Sequence, residues 1–426
     1  MRESFLHYLW KYKKFQTNKI KTSQGEALNV INVGEHNAHS GPDFFNAKLE
    51  IGGQLWAGNV EIHLKSTDWF IHNHEIDEAY NNVILHVVWE HDTDIFYADN
   101  TVVPALVLKD YVDPKVLANY QALSSSNKKW IFCENSFDQV EDFLLSNWLE
   151  RLYIERLERK TQEIQNLLQA SLNNWKAVLF QLLAKNFGLK INGDAFGSMA
   201  VRTSWNVIQK VTPNLQQLEA LFFGQIGLLE DNFQESYYFE LQKEYAYLQH
   251  KFNLNNQGVL PVHFFKLRPP NFPTIRVAQL AAIYHQESDL FSKVVRLKTK
   301  EEAYELFNVE VSEFWKNHYT FKAVSKPSGK HLTKSFIDLL IINTVIPMQY
   351  TYAKQMGKEM DEEVLMLAHT IAPEKNSIVE KFNNLKALSS SALKSQALLQ
   401  LKNNYCDKQK CLECAIGNAL LSRELK

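Results

Sequence analysis

The sequence predicts a mixed α/β region followed by a mainly α-helical one. Between residues 26 and 110, short β-branched and aromatic runs are separated by glycine-containing turns, a pattern typical of strands. From residue 138 onward, apolar residues recur with the 3.6-residue period of amphipathic helices. With 426 residues, the chain is long enough for several domains. We predict an α/β domain over residues 1–122, a linker over 123–137 and a helical domain over 138–426, subdivided near residue 256 and carrying a C-terminal cysteine cluster.

Each element of the α/β region has its own signal. Residues 4–16 are aromatic and basic and predict a helix, and "ALNVINVGE" predicts a strand that ends at a glycine. The segments "DFFNAKLEI" and "LWAGNVEIHLK" flank "GGQ", which indicates a β-hairpin. The run "VILHVVWEH" is apolar at odd and even positions except for His86, which favours a central buried strand. In "TVVPALVLKD", Pro104 favours an edge position or a strand end.

The helical region begins after the polar segment "LSSSNKKW", which has the composition of a linker. Residues 141–169 predict one long amphipathic helix. A second helix is expected to begin at "TPNLQQLEALFF", with Thr212 as its cap and Pro213 in its first turn. Breaks are expected at 267–274 and 325–331, where proline and glycine cluster.

Composition and charge are those of an ordinary globular protein, with 45% hydrophobic residues and a net charge of −2. The charge is unevenly distributed: residues 1–135 contain 12 basic and 17 acidic residues, whereas 262–335 contain 12 basic and 7 acidic. This asymmetry suits a metal-binding core with a separate anion-contacting surface, and equally an ordinary drift of surface charge. No apolar run reaches the roughly 20 residues that cross a bilayer, and the start lacks a signal-peptide pattern. We expect a cytoplasmic protein without a membrane partner.

Residues 56–69, "WAGNVEIHLKSTDW", place three ionisable groups on one strand face. Because side chains alternate along a strand, Glu61, His63 and Lys65 should share the face opposite the apolar residues between them. This face is either simply hydrated or half of an active site. The hairpin turn would bring Asp43, in "SGPDF", beside Glu61. Two carboxylates are a suitable ligand pair for Mg²⁺ or Mn²⁺.

The order Pro42-Asp43, hairpin, Glu61 and Lys65 resembles the PD-(D/E)xK nuclease superfamily over residues 5 to 110. The resemblance implies a restriction-endonuclease-like mixed sheet in which Asp43 and Glu61 bind the metal and Lys65 is the catalytic lysine. Glu35 matches the position of an accessory acid. In this chain His63 stands where the superfamily has its lysine, and Lys65 follows two residues later. Either residue could therefore orient the attacking water.

Half of the 14 histidines lie between residues 36 and 91. In "STDWFIHNHEIDEAY", His72 and His74 could bind a transition metal together with Asp77, or carry protons near neutral pH. The alternative is that they are loop histidines that form hydrogen bonds with the backbone. His86, inside an apolar strand, is expected to be a core residue.

The whole chain is also similar to a bacterial family known only as a domain of unknown function. The segments that carry this resemblance are "GPDF", "GNVEIHLKSTDW", "HNHEIDEAYNNVILHVVW", "RPPNFPTIRVAQLA" and "YCDKQKCLECAIGNALL". The family brings no established activity, so this resemblance leaves the chemistry open.

Three of the four cysteines lie close together near the C-terminus. Cys406, Cys411 and Cys414 have the spacing C-x4-C-x2-C, and Cys133 is the only other cysteine. Four thiolates could bind zinc or an iron–sulfur cluster. The alternative is a set of reduced cysteines on a helix.

Two basic segments are candidates for substrate binding. Arg268 and Arg276 flank a proline-rich turn, where Thr274 could cap the next helix and leave its N–H groups to bind phosphate. Lys326 and Lys330 lie in the lysine-rich segment "FKAVSKPSGKHLTK", which could follow a nucleic-acid backbone. The alternatives are an interhelix turn and solvated lysines.

The leading hypothesis is a metal-dependent nuclease that hydrolyses DNA or RNA through Asp43, Glu61 and either Lys65 or His63. A second hypothesis is a non-catalytic nucleic-acid-binding or scaffolding protein with a degenerate nuclease core. A third is a His/carboxylate metallohydrolase with a non-nucleic substrate, built on His72, His74 and Asp77.

Overall fold

The computed structural model describes residues 1–37, 39–97, 99–124, 129–359 and 361–422. The chain forms two compact units, one of Met1–Trp148 with Leu401–Lys426 and one of Leu149–Gln400. The predicted boundaries were at residues 122 and 138, whereas the units divide at residue 148 and the chain returns to the first unit from Leu401 onward. Part of the predicted linker, 125–128, lies outside the described residues.

The first unit is built on a mixed sheet. Its strands are β1 (Ile20–Lys21), β2 (Ala27–Asn32), β3 (Glu35–His36), β4 (Phe44–Ile51), β5 (Gln54–Lys65), β6 (Val83–Glu90) and β7 (Ala105–Val107). The spatial order is β1-β2-β4-β5-β6-β7, with β3 paired to β4. Strand β4 is antiparallel to β2 and to β5, whereas β5, β6 and β7 run parallel. The second unit contains the hairpin of β8 (His318–Thr320) and β9 (Ala323–Val324).

The helices follow the expected division into a mixed region and a mainly helical one. They are α1 (Glu3–Lys11), α2 (Asp68–Ile71), α3 (Pro114–Ser124), α4 (Asp142–Ala170), α5 (Trp175–Phe187), α6 (Leu189–Arg202), α7 (Trp205–Val211), α8 (Leu215–Gln225), α9 (Ser236–Phe252), α10 (Pro273–Gln286), α11 (Leu290–Arg296), α12 (Lys300–Leu306), α13 (Glu313–Lys316), α14 (Lys334–Leu340), α15 (Ile346–Gln355), α16 (Asp361–Thr370), α17 (Ser377–Leu385), α18 (Ala392–Leu401) and α19 (Ala415–Leu421). None of these described helices has the length and apolarity that a bilayer span requires.

The hairpin of β4 and β5 positions the acidic residues. Gly52 and Gly53 form its turn with φ angles of 60° and 85°, a conformation that favours glycine. Phe44 faces Val60 across the pair, so the residues next to them, Asp43 and Glu61, lie at the same end of the hairpin.

The two faces of the sheet differ in chemistry. Ile62, Leu85 and Val87 point into a large core that also contains Phe5 and Trp10 of α1. Because side chains alternate, Glu61 and His63 point to the opposite face. His86 is on that face too, since it pairs with Glu61 in the parallel register of β5 and β6. The central position predicted for the strand "VILHVVWEH" is confirmed, because β6 lies between β5 and β7.

One predicted helix start differs from the structure. Helix α8 begins at Leu215, and its cap is Asn214, whose side chain accepts a hydrogen bond from the Gln217 N–H. Thr212 instead donates its hydroxyl to the carbonyl of Ile208 in the preceding turn. Asparagine is as good a cap as threonine, and here it lies two residues closer to the apolar periodic segment.

Candidate metal centre

Asp43 and Glu61 meet at the end of the hairpin. The Asp43 N–H donates to Glu61 Oε2 at 3.1 Å, and the Ile62 N–H donates to Asp43 Oδ2 at 3.0 Å. Each carboxylate is therefore held by the backbone of the other strand. Glu61 is 4% exposed, whereas the Asp43 side chain is 20% exposed. The sequence prediction that these two acids lie side by side agrees with this geometry.

Three histidines converge beside Glu61. His63, His72 and His74 each offer one ring nitrogen, and these nitrogens lie within 4.8 Å of one another. His63 Nε2 is 3.0 Å from His72 Nδ1. Glu61 Oε1 is 3.3 Å from His74 Nε2 and 3.5 Å from His63 Nε2. His63 and His74 are buried, whereas His72 is exposed, so the cluster opens to solvent on the His72 side.

The loop after β5 turns His74 back onto the sheet. Asp68, at the start of α2, accepts a hydrogen bond from the Lys65 N–H at 2.9 Å and so closes the turn at the strand end. The His74 N–H donates to the carbonyl of Trp69 at 3.1 Å. The His74 ring stacks on Tyr80 with a centroid distance of 3.7 Å and meets Trp69 edge to face. Aromatic packing and a backbone hydrogen bond thus fix the direction of the imidazole.

His86 lies behind the cluster and contacts His63. Its Nε2 is 2.9 Å from His63 Nδ1, and its own Nδ1 is buried without a hydrogen-bond partner. If His63 Nδ1–H donates to His86, the lone pair of His63 Nε2 faces His72 and Glu61. This is the tautomer that a metal ligand requires.

Burial sets the protonation of these groups. Desolvation, with the nearby His74 and His72, lowers the pKa of His63 to about 3, and burial lowers the pKa of His86 well below its ordinary value. Burial favours the uncharged form of Glu61 as well, which for a carboxyl group raises the pKa. At neutral pH the two imidazoles are therefore uncharged and keep lone pairs to offer. The environment disfavours an ionised Glu61 unless a positive charge is beside it.

The donor set fits one transition-metal cation. Four tetrahedral ligands at metal–ligand distances of about 2.1 Å lie about 3.4 Å apart. His63 Nε2 and His72 Nδ1 are 3.0 Å apart, the ligand nitrogens of His63, His72 and His74 all lie within 4.8 Å of one another, and Glu61 Oε1 is 3.3 Å from His74 and 3.5 Å from His63. The buried His74 Nε2 forms no well-aligned hydrogen bond, and the acid oxygen beside it is Glu61 Oε1 at 3.3 Å. Three imidazoles and one carboxylate suit zinc, Mn²⁺ or Fe²⁺ better than Mg²⁺, which prefers oxygen ligands.

Three residues that the sequence predicted for this site have other surroundings in the structure. The Lys65 ammonium is 3.9 Å from Glu90 on the neighbouring strand, and the Lys65 side chain is 53% exposed. Glu35 is exposed on β3. The Asp77 carboxylate accepts the Ala79 N–H and caps a 3₁₀ turn. Glu61, not Asp77, is the carboxylate that approaches His74.

The site includes a helix residue that the sequence analysis missed. His7 of α1 places its Nε2 3.3 Å from Asp43 Oδ2 and 3.8 Å from Glu3 Oε1. Burial opposes protonation of His7, but the adjacent Asp43 more than offsets it, so the pKa of His7 is raised. The only signal in the sequence was the i, i+4 spacing of Glu3 and His7, which puts both on one side of the helix.

The predicted phosphate-binding role of Arg276 finds no support in its contacts. This guanidinium is buried and donates to Asn271 and Gln279 at 2.6 and 2.9 Å. It also lies 3.6 Å over the ring of Phe336. Burial lowers the pKa of Arg276 to about 10. These contacts join α10 to its preceding turn and to α14.

Lys330 is similarly engaged within the second unit. Its ammonium lies 3.6 Å over the ring of Tyr319, and the residue is 7% exposed. Thr274 does not cap α10, because the helix begins at Pro273 and the Thr274 hydroxyl donates to the carbonyl of Tyr319. Arg268 and Lys326 are exposed, as a role in substrate binding would require.

The four cysteines also come together. Cys133, Cys406, Cys411 and Cys414 line one cavity of about 20 Å³ in the first unit, and all four are free thiols.

Glu61, His63, His72 and His74 form an acid–histidine cluster on one face of the mixed sheet. The sheet and this cluster define an α/β domain with a candidate metal centre. The chain belongs to the family described as "Protein of unknown function (DUF2851)", whose model matches residues 3–377. That range contains the whole acid–histidine cluster and ends before Cys406. No curated protein and no solved structure matches the chain.

Proposed function

We propose that the first unit is a metal-dependent hydrolase that cleaves the phosphodiester bonds of DNA or RNA. The observation that carries the proposal is the convergence of ring nitrogens of His63, His72 and His74 within 4.8 Å of one another, with Glu61 Oε1 at 3.5 Å from His63 and 3.3 Å from His74. The substrate class rests on the resemblance of Pro42-Asp43, hairpin and Glu61 to the PD-(D/E)xK nucleases. A restriction-endonuclease-like core is part of the same proposal.

The cation and the protein side chains would have separate roles in the proposed reaction. A bound divalent cation would supply Lewis acidity toward a phosphoryl oxygen. Glu61 and the three histidines would hold it, and His86 would orient His63. Asp43 is the partly exposed carboxylate next to the ligands, so it is placed to accept a hydrogen bond from an attacking water. His7, between Glu3 and Asp43, fixes the position of that carboxylate.

The expected cation is a transition metal. From the sequence, the carboxylates of Asp43 and Glu61 predicted Mg²⁺ or Mn²⁺, because both cations bind oxygen ligands. The imidazole nitrogens beside Glu61 favour Mn²⁺ or zinc instead of Mg²⁺. Because His72 is the exposed ligand, the phosphodiester would approach from its side.

A cleavage assay tests the proposal. Single- and double-stranded DNA and RNA are incubated with the wild-type protein in Mn²⁺, Zn²⁺ or Mg²⁺, beside the variants Glu61→Gln and His74→Ala. We expect metal-dependent cleavage by the wild type and loss of at least 100-fold in both variants. Glu50→Gln is the matched control, since this carboxylate lies on β4 and contacts Asn29 at 3.3 Å, away from the cluster. Equal cleavage by wild type and Glu61→Gln would refute the proposal.

The position of Lys65 favours a second candidate, a non-catalytic nucleic-acid-binding protein with a degenerate nuclease core. Its ammonium pairs with Glu90 and no hydrogen bond or ion pair joins it to Asp43 or Glu61 within the described residues. On this hypothesis the wild type binds nucleic acid with an affinity that falls as salt rises, but cleaves none with any of the three metals.

A further inference from the structure

The four cysteines of the chain form a second cluster, which shares no residue with the acid–histidine cluster. Cys133 precedes a 3₁₀ turn at Glu134–Gln139, and the other three follow α18. Although Cys133 and Cys406 are far apart in sequence, all four line the same small cavity with Phe132 and Phe137. Cys414 is buried and the other three are half-buried.

The C-terminal segment is wound tightly enough to bring its three cysteines to that cavity. A π-helical turn covers Lys402–Cys406, and the Cys414 N–H donates to the Cys411 carbonyl at 3.3 Å. At Gly417, a Cβ would lie 2.0 Å from the same carbonyl oxygen, so only glycine permits this close approach.

The chemistry of the cluster is that of a soft-ligand set. All four side chains are buried or half-buried free thiols. No disulfide joins them. Four sulfurs around one apolar cavity are the donor set of structural zinc and of four-cysteine iron–sulfur centres.

We propose that Cys133, Cys406, Cys411 and Cys414 bind a metal through four thiolates and that this metal fastens residues 402–422 within the first unit. Four sulfurs bound to one zinc ion at about 2.3 Å would lie about 3.8 Å apart. Within the described residues, the group of three or more ligand atoms that all lie within 4.8 Å of one another is His63, His72 and His74, so the cysteine sulfurs are spaced more widely. An iron–sulfur cluster, whose cysteines bind different iron atoms, is therefore the expected occupant. The proposal is independent of the proposed hydrolase activity.

The metal would add to the contacts that already hold this segment in the first unit. Helix α19 places Leu421 in the core of the sheet, and the Asn119 side chain donates to the Leu421 carbonyl at 3.2 Å. The Lys14 ammonium donates to the Ser422 hydroxyl at 2.9 Å on the surface. Removing the metal should therefore loosen this segment while the sheet stays folded.

The first experiment measures metal directly on the full chain purified without oxygen. Zinc, iron and acid-labile sulfide are determined for the wild type, Cys411→Ser and His72→Ala. We expect iron and acid-labile sulfide in equal amounts, which Cys411→Ser loses and His72→Ala keeps. The wild type should also show a visible sulfur-to-iron charge-transfer band, which a zinc site does not produce. The absorbance test uses wild-type protein, so it stands even if the cysteine variant fails to fold.

The second experiment follows the C-terminal segment by limited proteolysis. Cleavage within 402–422 should become at least tenfold faster after the cluster is removed, and reconstitution with iron and sulfide should restore resistance. Zinc without sulfide would support the four-thiolate centre and overturn the assignment of an iron–sulfur cluster. Absence of the charge-transfer band, with no metal lost in Cys411→Ser, would overturn the centre itself.

Discussion

Replacing His86 with leucine separates metal binding from stability. His86 Nε2 lies 2.9 Å from His63 Nδ1, and we infer the tautomer in which His63 Nδ1–H donates to His86 and the lone pair of His63 Nε2 points toward Glu61. Loss of a partner that orients a metal-binding histidine typically weakens metal affinity by about 10- to 100-fold, or about 1.4 to 2.7 kcal/mol. We expect a decrease of that size in His86→Leu.

The stability of the metal-free protein should change much less. The substitution leaves His63 Nδ1–H unpaired, which costs about 1–3 kcal/mol, but it also removes the buried Nδ1 of His86, which has no partner. Because leucine is close to histidine in size, we expect the free energy of unfolding without metal to stay within about 1 kcal/mol of wild type.

A competition assay with a coloured chelator gives the affinity for Mn²⁺ and zinc, and urea unfolding gives the stability. His36→Gln is the control, because His36 contacts the rings of His7 and Phe44 but not His63. If His86→Leu binds metal within twofold of wild type, His86 does not orient His63 and the inferred tautomer is wrong.

Three further predictions concern other parts of the chain. Burial raises the pKa of Glu219 to about 7, against an ordinary value of 4.5, so the free energy of unfolding should fall by about 3 kcal/mol as pH rises from 4.5 to 7. Glu219→Gln should remove most of that slope in urea titrations at several pH values, and parallel curves for the two proteins would contradict the prediction. Gly58→Ala should lower the free energy of unfolding by about 1–3 kcal/mol, because the added Cβ would lie 2.4 Å from Ile84 Cγ2 and 2.7 Å from the Asn82 carbonyl oxygen. An unchanged melting temperature would argue against the register of β5 and β6. Lys65→Ala should change the free energy of unfolding by less than about 0.5 kcal/mol and leave the zinc affinity within twofold of wild type, because the Lys65–Glu90 ion pair is exposed. A tenfold loss of zinc affinity would place Lys65 at the metal centre.

The parts of the site that the sequence predicted depend on local periodicity. Alternation along β5 put Glu61 and His63 on one face, and the glycine pair at 52–53 predicted the hairpin that brings Asp43 beside Glu61. Both signals act over fewer than 25 residues, so no knowledge of the rest of the fold was needed. The strand "VILHVVWEH" was similarly predictable, because a strand buried on both faces is apolar at both odd and even positions, here with His86 as the exception.

The parts that were missed depend on contacts between distant segments. Lys65 has the same parity as Glu61, but β5 ends there and Glu90 on the neighbouring parallel strand pairs with the ammonium. His7 reaches Asp43 from a helix at the start of the chain, which no period predicts. For Arg276 the sequence left phosphate binding and an interhelix turn open, and the burial of Arg276 by the packing of α10 fits the second interpretation.

The two candidate metal sites differ in how much of the chain must exist before each is complete. Glu61, His63, His72 and His74 all lie between residues 61 and 74, so closing that ligand set requires only a short loop. The cysteine set requires Cys133 to meet residues 406 to 414, which lie much further along the chain. On a ribosome, the first ligand set could close as soon as β5 and its following loop emerge, whereas the second must wait until residues 406 to 414 have also emerged. Cation binding at the histidines would thus be an early step of folding, and binding at the thiolates a later one.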